Sequence, residues 1–211
     1  MSMIASVVAA LITPASVETG ALLKGYGALN TEESAAVVID ALVRPDGRLV
    51  SCKEVAAVGE RRLAKQICPM MTKMRWRPAT DSSGKAVYGR VRDLYRFFTP
   101  DDRSGLKIAA LQQKPDIEIT VNRLPVKSRA EVRLRLAVSL DENAQVIGCE
   151  AVEKKRAFAA LVPLACAEAG KVALEPITSE DGTRTSFVTV LTAELRTITA
   201  RAQEKPDPLN E

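Results

Sequence analysis

No histidine occurs anywhere in the 211 residues. That absence removes Ser-His-Asp and Cys-His nucleophile systems and every zinc site that needs imidazole. Catalysis would have to rest on carboxylates, lysine, tyrosine or cysteine alone, so a non-enzyme without cofactor or metal is expected. Aromatics are scarce at 4%, with Trp76 the only tryptophan, and the cores must be built from Val, Leu, Ile and Ala. No phosphate-binding glycine loop is present: Gly25-Tyr26-Gly27 lacks the third glycine and a strand-turn-helix setting. Asp101-Asp102 and Glu180-Asp181 read as turn acids, without the partner that acid–base work needs to separate two pKa values.

What remains is an ordinary globular balance, with 46% hydrophobic and 27% charged residues and a net charge of +4. That charge does not by itself imply a polyanionic partner, and the arginine-bearing stretches lack the interleaved stacking aromatics of a nucleic-acid site. Nucleic acid is therefore not expected as a partner. Met3 to Thr13 is uncharged and largely apolar but far short of the roughly 20 residues of a spanning helix. It suits the apolar region of a secretory signal, with small residues at Thr13 and Ala15 permitting cleavage nearby, although no Lys or Arg precedes it. The expectation is a periplasmic protein without a stable membrane span; the plainer alternative is an apolar N-terminal segment of a cytoplasmic one.

The chain repeats itself. Cys52 and Cys149, like Val55 and Val152, lie 97 residues apart, and Cys68/Cys166, Pro78/Pro176, Thr80/Thr178 and Gly84/Gly182 lie 98 apart. One residue inserted between the second pair of cysteines accounts for the step. In the first copy Val37, Ile39, Ala41 and Val43 alternate, Arg44-Pro45-Asp46-Gly47 makes a turn, and Leu49, Val50 and Cys52 return. In the second, Val132, Leu134, Leu136, Val138 and Leu140 face one way, while Arg133, Arg135, Ala137 and Ser139 face the other. Asn143-Ala144 replaces Asp46-Gly47, which predicts a looser turn or one of another type. Helical spacing follows at Leu63, Ile67 and Met70 or Met71, and at Phe158, Leu161, Val162 and Ala165, with Pro69 and Pro163 expected to bend or break each helix. A closing strand is predicted over Val87 to Phe97 and again over Thr185 to Leu195, with a short strand at Ile117 to Val121 between the copies.

The expected fold class is α+β: two tandem β-β-α-β modules, each a small antiparallel sheet with a helix packed on one face. Residues 1–20 read as the signal or apolar segment, 30–99 as the first repeat, 100–129 as a linker, 130–198 as the second repeat and 199–211 as a disordered tail. Four cysteines allow three pairings, and the repeat favours Cys52–Cys68 and Cys149–Cys166, against four buried thiols in a cytosolic protein. Trp76 reads as a core anchor ahead of an exposed recognition residue, and the arginine faces read as solvated.

The stretches "VVIDALVRPDGRLVSCKEV", "MRWRPATDSSGKAV" and "YGRVRDLYRFF" resemble the C-terminal domain of the TonB energy transducer. The turn at Asp46-Gly47 and the Trp76-Arg77-Pro78-Ala79 ahead of Gly84 carry most of the likeness, over residues 34 to 98. Residues 131 to 196 join it through the repeat, with Leu174 and Glu175 in place of Trp76 and Arg77. The resemblance implies a periplasmic module whose last strand pairs with an extended peptide of an outer-membrane receptor, in a transport context. The docking edge is then expected along Val87, Gly89, Arg90, Val91, Arg92, Asp93, Tyr95 and Arg96, with the arginines favouring an acidic peptide. The more apolar strand from Phe187 to Leu195 is expected to be covered, by the first repeat or by a second chain. The alternative function is a structural or accessory envelope protein whose repeats pack together or form a homodimer.

Overall fold

The computed structural model of the chain describes residues 11–17, 34–97, 111, 114–125 and 130–198. Gly25-Tyr26-Gly27, Asp101-Asp102, the tail from 199 and the apolar residues before Leu11 lie outside them. In the first half, β1 is Ser16–Val17, and β2 (Ala35–Val43) returns as β3 (Leu49–Gly59). Helix α1 (Arg61–Met71) is started by the Glu60 carboxylate, which accepts the Arg62 backbone N–H at 2.7 Å. Short strands β4 (Trp76–Arg77) and β5 (Ala79–Thr80) lead into the long β6 (Ala86–Phe97). β7 (Ile117–Val121) has the bounds expected from the sequence.

The second half runs β8 (Glu131–Leu140), β9 (Val146–Ala151), a 3-10 turn over Arg156–Leu161 and α2 (Val162–Ala169). β10 (Ile177–Thr178), β11 (Arg184–Thr185) and β12 (Phe187–Thr197) complete it. Pro163 stands in the first turn of α2, where a missing N–H leaves no helix bond unmade, and the helical region is split there. Pro69 lies in the last turn of α1, which runs on through it to Met71.

The α+β reading as two tandem β-β-α-β modules, each with its own small antiparallel sheet, is overturned. Among the described residues strand predominates, with two short helices, and eight of the twelve strands merge into one mixed sheet, the other four forming the pairs β1–β4 and β10–β11. The order is β3-β2-β6-β12-β8-β9, with β5 beside β6 and β7 beside β12. The seam is parallel: Tyr88, Gly89 and Arg90 of β6 stand opposite Phe187, Val188 and Thr189 of β12. Alternation along a strand says which face is buried but not which strand will be its neighbour, so the join was invisible in the sequence.

The helices lie on opposite faces of this sheet. α1 covers the face bearing Val37, Ile39, Ala41 and Val43, and Ala137 and Val188 belong to the same cluster. Leu136, Val138 and Phe187, one residue along their strands, point the other way, into the cluster beneath Ala165 and Ala169 of α2. Trp76 is buried in the first cluster and donates its indole N–H to the Met71 carbonyl at 3.2 Å, as a core anchor should.

Part of the apolar N-terminal stretch also belongs to the packed structure. Ile12 and Ala15 are buried in the first cluster, and β1 pairs antiparallel with β4. Thr13 exchanges two backbone hydrogen bonds with Thr80, both at 2.9 Å.

Four turns share one hydrogen-bond pattern, at residues 44–48, 81–85, 141–145 and 179–183. In each, the first residue donates its N–H to the carbonyl of the fifth, and the fourth donates to the carbonyl of the first. The fourth residue takes positive φ: 80° at Gly47, 82° at Gly84, 81° at Gly182 and 60° at Ala144. The looser turn expected at Asn143-Ala144 is therefore absent. The Asp141 carboxylate accepts from the backbone of Asn143 at 2.9 Å and Gln145 at 2.8 Å, and these bonds hold Ala144 in a region that costs an L-residue about 1–2 kcal/mol. A Cβ added at Gly47 would lie 2.5 Å from the Trp76 carbonyl oxygen, a clash with backbone.

Substitution should separate these two turns. Gly47→Ala is expected to lower stability by about 2 kcal/mol or more, from positive φ and the clash together. Ala144→Gly should be nearly neutral or slightly stabilising, because relief of strain offsets a lost methyl of about 0.8 kcal/mol. Thermal unfolding of the two variants beside the parent chain measures both.

Candidate functional site

Every cysteine is paired. Cys52 of β3 bonds Cys68 of α1 with a Cα–Cα separation of 5.5 Å, and Cys149 of β9 bonds Cys166 of α2 at 5.7 Å. Each bridge ties an outer strand of the sheet to the helix lying over it. In the chain-entropy description a loop of this length contributes about 3 kcal/mol, and such bonds persist in oxidising compartments. No helix among the described residues is long and apolar enough to cross a membrane, and no group of acidic or cysteine side chains there could hold a metal ion.

The residues expected to form a docking edge all lie on β6, of which only Gly89 and Arg90 belong to the seam with β12. Val87 pairs with Ala79 of β5, and Gly89 and Arg90 stand between Val43 and Leu42 of β2 and Val188 and Thr189 of β12. The start of β6 is thus enclosed on both sides. From Val91 to Phe97 the strand pairs with β2, Val91 opposite Ala41 and Phe97 opposite Ala35, and no described strand lies on its other side. β12 leaves β6 after Thr189 and continues beside β7, Ala193 opposite Ile117 through Thr197 opposite Val121. Asp116 holds this fork: its backbone N–H donates to the Thr192 carbonyl at 2.9 Å, and its carboxylate accepts the Thr192 N–H at 2.7 Å. β12 is covered by β8 on one side; on the other the first repeat covers it only from Phe187 to Thr189, through β6, and β7 of the segment read as a linker takes Ala193 to Thr197.

Side chains on β6 divide by face. Val91 and Tyr95 pack on the cluster under α1, where burial, reinforced by the Asp93 carboxylate, holds the Tyr95 phenol well above its ordinary pKa. Arg90 and Arg92 point to the opposite face. Arg90 makes a bidentate pair with Asp40, at 3.1 and 2.8 Å, and Arg92 reaches the same carboxylate at 3.2 Å. Hydrogen bonding to Asp40 raises the Arg90 pKa further, against the pull of burial, and the Glu175 charge adds to the effect. Arg92 remains 48% exposed, so a positive group stands beside the open stretch.

A second charge network lies on the second half. The Glu194 side chain is 0% exposed, yet it receives Arg133 at 2.6 Å and Arg196 on its other oxygen. Arg196 also approaches Glu131 at 3.7 Å, which stands opposite it across the β8–β12 ladder. Asp40, Asp116 and the pairing of Glu194 were not found by sequence reasoning. A single carboxylate inside an apolar strand was the available signal, at Asp40 in "VVIDALV" and at Glu194 in "VLTAELRT".

The network implies an asymmetry. Replacing both Arg133 and Arg196 by Met leaves Glu194 buried without a counter-charge, and stability should fall by about 3–5 kcal/mol. Glu194→Met removes the buried charge and lets the two half-exposed arginines return to water, at a visibly smaller cost. Urea midpoints of the two variants decide the order.

Asp181 offers a test by pH. The Ser179 hydroxyl, then that of Thr183, lower its carboxyl pKa from 3.8 to about 2. Because the folded value is depressed, the contribution of this turn is complete above 3.8 and is lost as pH falls through about 2. A carboxyl-detected NMR titration should place its midpoint near 2, and Ser179→Ala should move it upward.

No protein-family model matches the chain, and neither a curated protein nor a solved structure is detectably similar to it.

Proposed function

We propose that this protein is a non-enzymatic binding module of the cell envelope. In this reading it is exported to the periplasm through its apolar N-terminal stretch and captures an extended peptide by strand addition. The observation that carries it is the stretch of β6 from Val91 to Phe97, paired with β2 on one side and with no described strand on the other. Such an edge offers backbone N–H and C=O groups to an incoming strand, which would displace the Asp93 carboxylate from the Leu94 N–H that it accepts at 2.8 Å. Arg92 beside it favours acidic residues in the peptide. Both disulfides are consistent with an oxidising compartment. The resemblance of residues 34 to 98 to the TonB C-terminal domain supports a partner of the outer-membrane receptor kind and a place in transport.

An accessory protein whose two repeats serve mainly to hold each other is the second reading. The β6–β12 pairing favours it, as does the 2.6 Å ion pair of Arg44 in the first turn with Glu180 in the fourth.

Titration of acidic, extended envelope peptides into isotopically labelled protein distinguishes the two. Strand capture predicts amide shifts concentrated at residues 91–97 and roughly tenfold weaker binding on Arg92→Glu, with marked salt dependence. Shifts confined to other strands, or none, leave the accessory reading in place.

A further inference from the structure

Residues Leu11–Val17 sit in the fold as a guest sits in a site. Ile12, Ala15 and Val17 turn inward, while Leu11, Thr13 and Ser16 face solvent. The backbone is held at Thr13 by Thr80, and at Ser16 and Val17 by pairing with Arg77 and Trp76. The Ile12 N–H also points to the Glu150 carboxylate at 3.4 Å, and the Thr80 hydroxyl donates to the Leu11 carbonyl at 3.4 Å. This is a short ladder beside the nine residue pairs that join β2 to β6.

Two glycines, one from each half of the chain, make room for the segment. A Cβ at Gly89 of β6 would lie 2.5 Å from the Ala15 Cβ, and one at Gly148 of β9 would lie 2.9 Å from the Ile12 Cδ1. The repeat shows what Gly89 lacks. Its equivalent at the offset of 98 residues is Phe187, a fully buried side chain that fills the core beneath α2. In the first half only small side chains occupy that volume: Ala15, and Ala79 of β5, whose Cβ would lie 3.1 Å from the added one. The core under α1 is thus completed by a segment that joins the rest of the domain only through residues 18–33.

We propose that the channel between Gly89 and Gly148 is an acceptor site for an extended peptide, and that Leu11–Val17 is its resident occupant. The ligand is an uncharged strand from a partner protein, carrying a branched aliphatic residue and, three positions later, alanine or glycine. The aliphatic side chain takes the place of Ile12 against Gly148, and the small one takes that of Ala15 against Gly89. A bulkier residue at the second position meets the β6 backbone. The outward positions, those of Leu11, Thr13 and Ser16, are left to vary. Processing at Thr13 or Ala15, where the sequence has the small residues of a signal boundary, removes Ile12 from the chain and opens the site. The site is separate from the Val91–Phe97 edge, and Arg92→Glu leaves its ligand uptake unchanged.

The test uses the full chain carrying a protease recognition sequence within residues 18–33, cut after folding, and a fluorescent peptide of residues 11–17. The peptide should exchange into the cut protein saturably, as read by anisotropy, while Ile12→Asp and Ala15→Trp peptides bind roughly tenfold more weakly or worse. Gly89→Val in the cut chain should abolish uptake. In an uncut chain, Ala15→Trp ejects the resident segment, and that protein should bind the wild-type peptide without cleavage. Failure of the folded, cut chain to exchange its segment overturns the proposal. So does equal binding of the Ala15→Trp peptide, or unfolding of the chain once the segment leaves, since the segment is then a fixed part of the core.

Discussion

Three parallel residue pairs, Tyr88–Phe187, Gly89–Val188 and Arg90–Thr189, decide the architecture. Without them each half would be a small sheet with one helix and an open closing strand, a size at which a single core gives little stability. With them the strands share one sheet, and the closing strands become interior at their starts. Because the pairing is parallel and in the observed register, Val188 lies on the face of Gly89 and Phe187 on that of Tyr88. The two hydrophobic faces then point to opposite sides, which is why the helices do not meet. Each half contributes a little to the other's core: Ala137 and Val188 to the first, Tyr88 to the second.

The parts of this structure that were legible in the sequence are local. The alternation from Val132 to Leu140 gave one buried face of β8 but not the burial of Ala137 and Ser139 on the other; the turn residues gave the hairpins, and the repeat singled out the cysteine pairing from three alternatives. The strand at Ile117 to Val121 was readable from its own composition. The seam was not, because parallel pairing leaves no mark in the periodicity of either strand. Nor was the role of Gly89, which reads as a neutral gap in a strand until its equivalent, Phe187, is seen filling a core. The packing of Ile12 and Ala15 was hidden for a related reason: an apolar uncharged stretch has the same composition as an export signal and as a strand laid into a groove. The turn at Ala144 kept its type because the Asp141 carboxylate, three positions away, supplies what the missing glycine would have given.

Charge follows the same division between halves. On the first, Asp40 gathers Arg90 and Arg92 on the face away from α1; on the second, Glu194 gathers Arg133 and Arg196 on the face away from α2. Each face that lacks a helix therefore carries a carboxylate with two arginines around it. All four arginine side chains are partly exposed, so each carboxylate is screened from water by cations that themselves reach it. On the first half Leu111 packs over Ala36 and Val38.

The outer strands carry a consequence for how far such a sheet can grow. The register between β2 and β3 skips Val50 and Val55, and that between β8 and β9 skips Ile147, so all three are bulge residues. They are also among the exposed large apolar side chains, at 36%, 46% and 64%. Val50 and Ile147 are equivalents at the offset of 97 residues, so the same kink is written into both rims. A sequence that joins copies of itself edge to edge has in hand the recipe for an endless ribbon. A rim whose backbone groups fall out of step every few residues offers the next copy no straight template. Both rims of this sheet are bent at equivalent places, Val50 and Ile147, so neither presents a straight edge for a further strand.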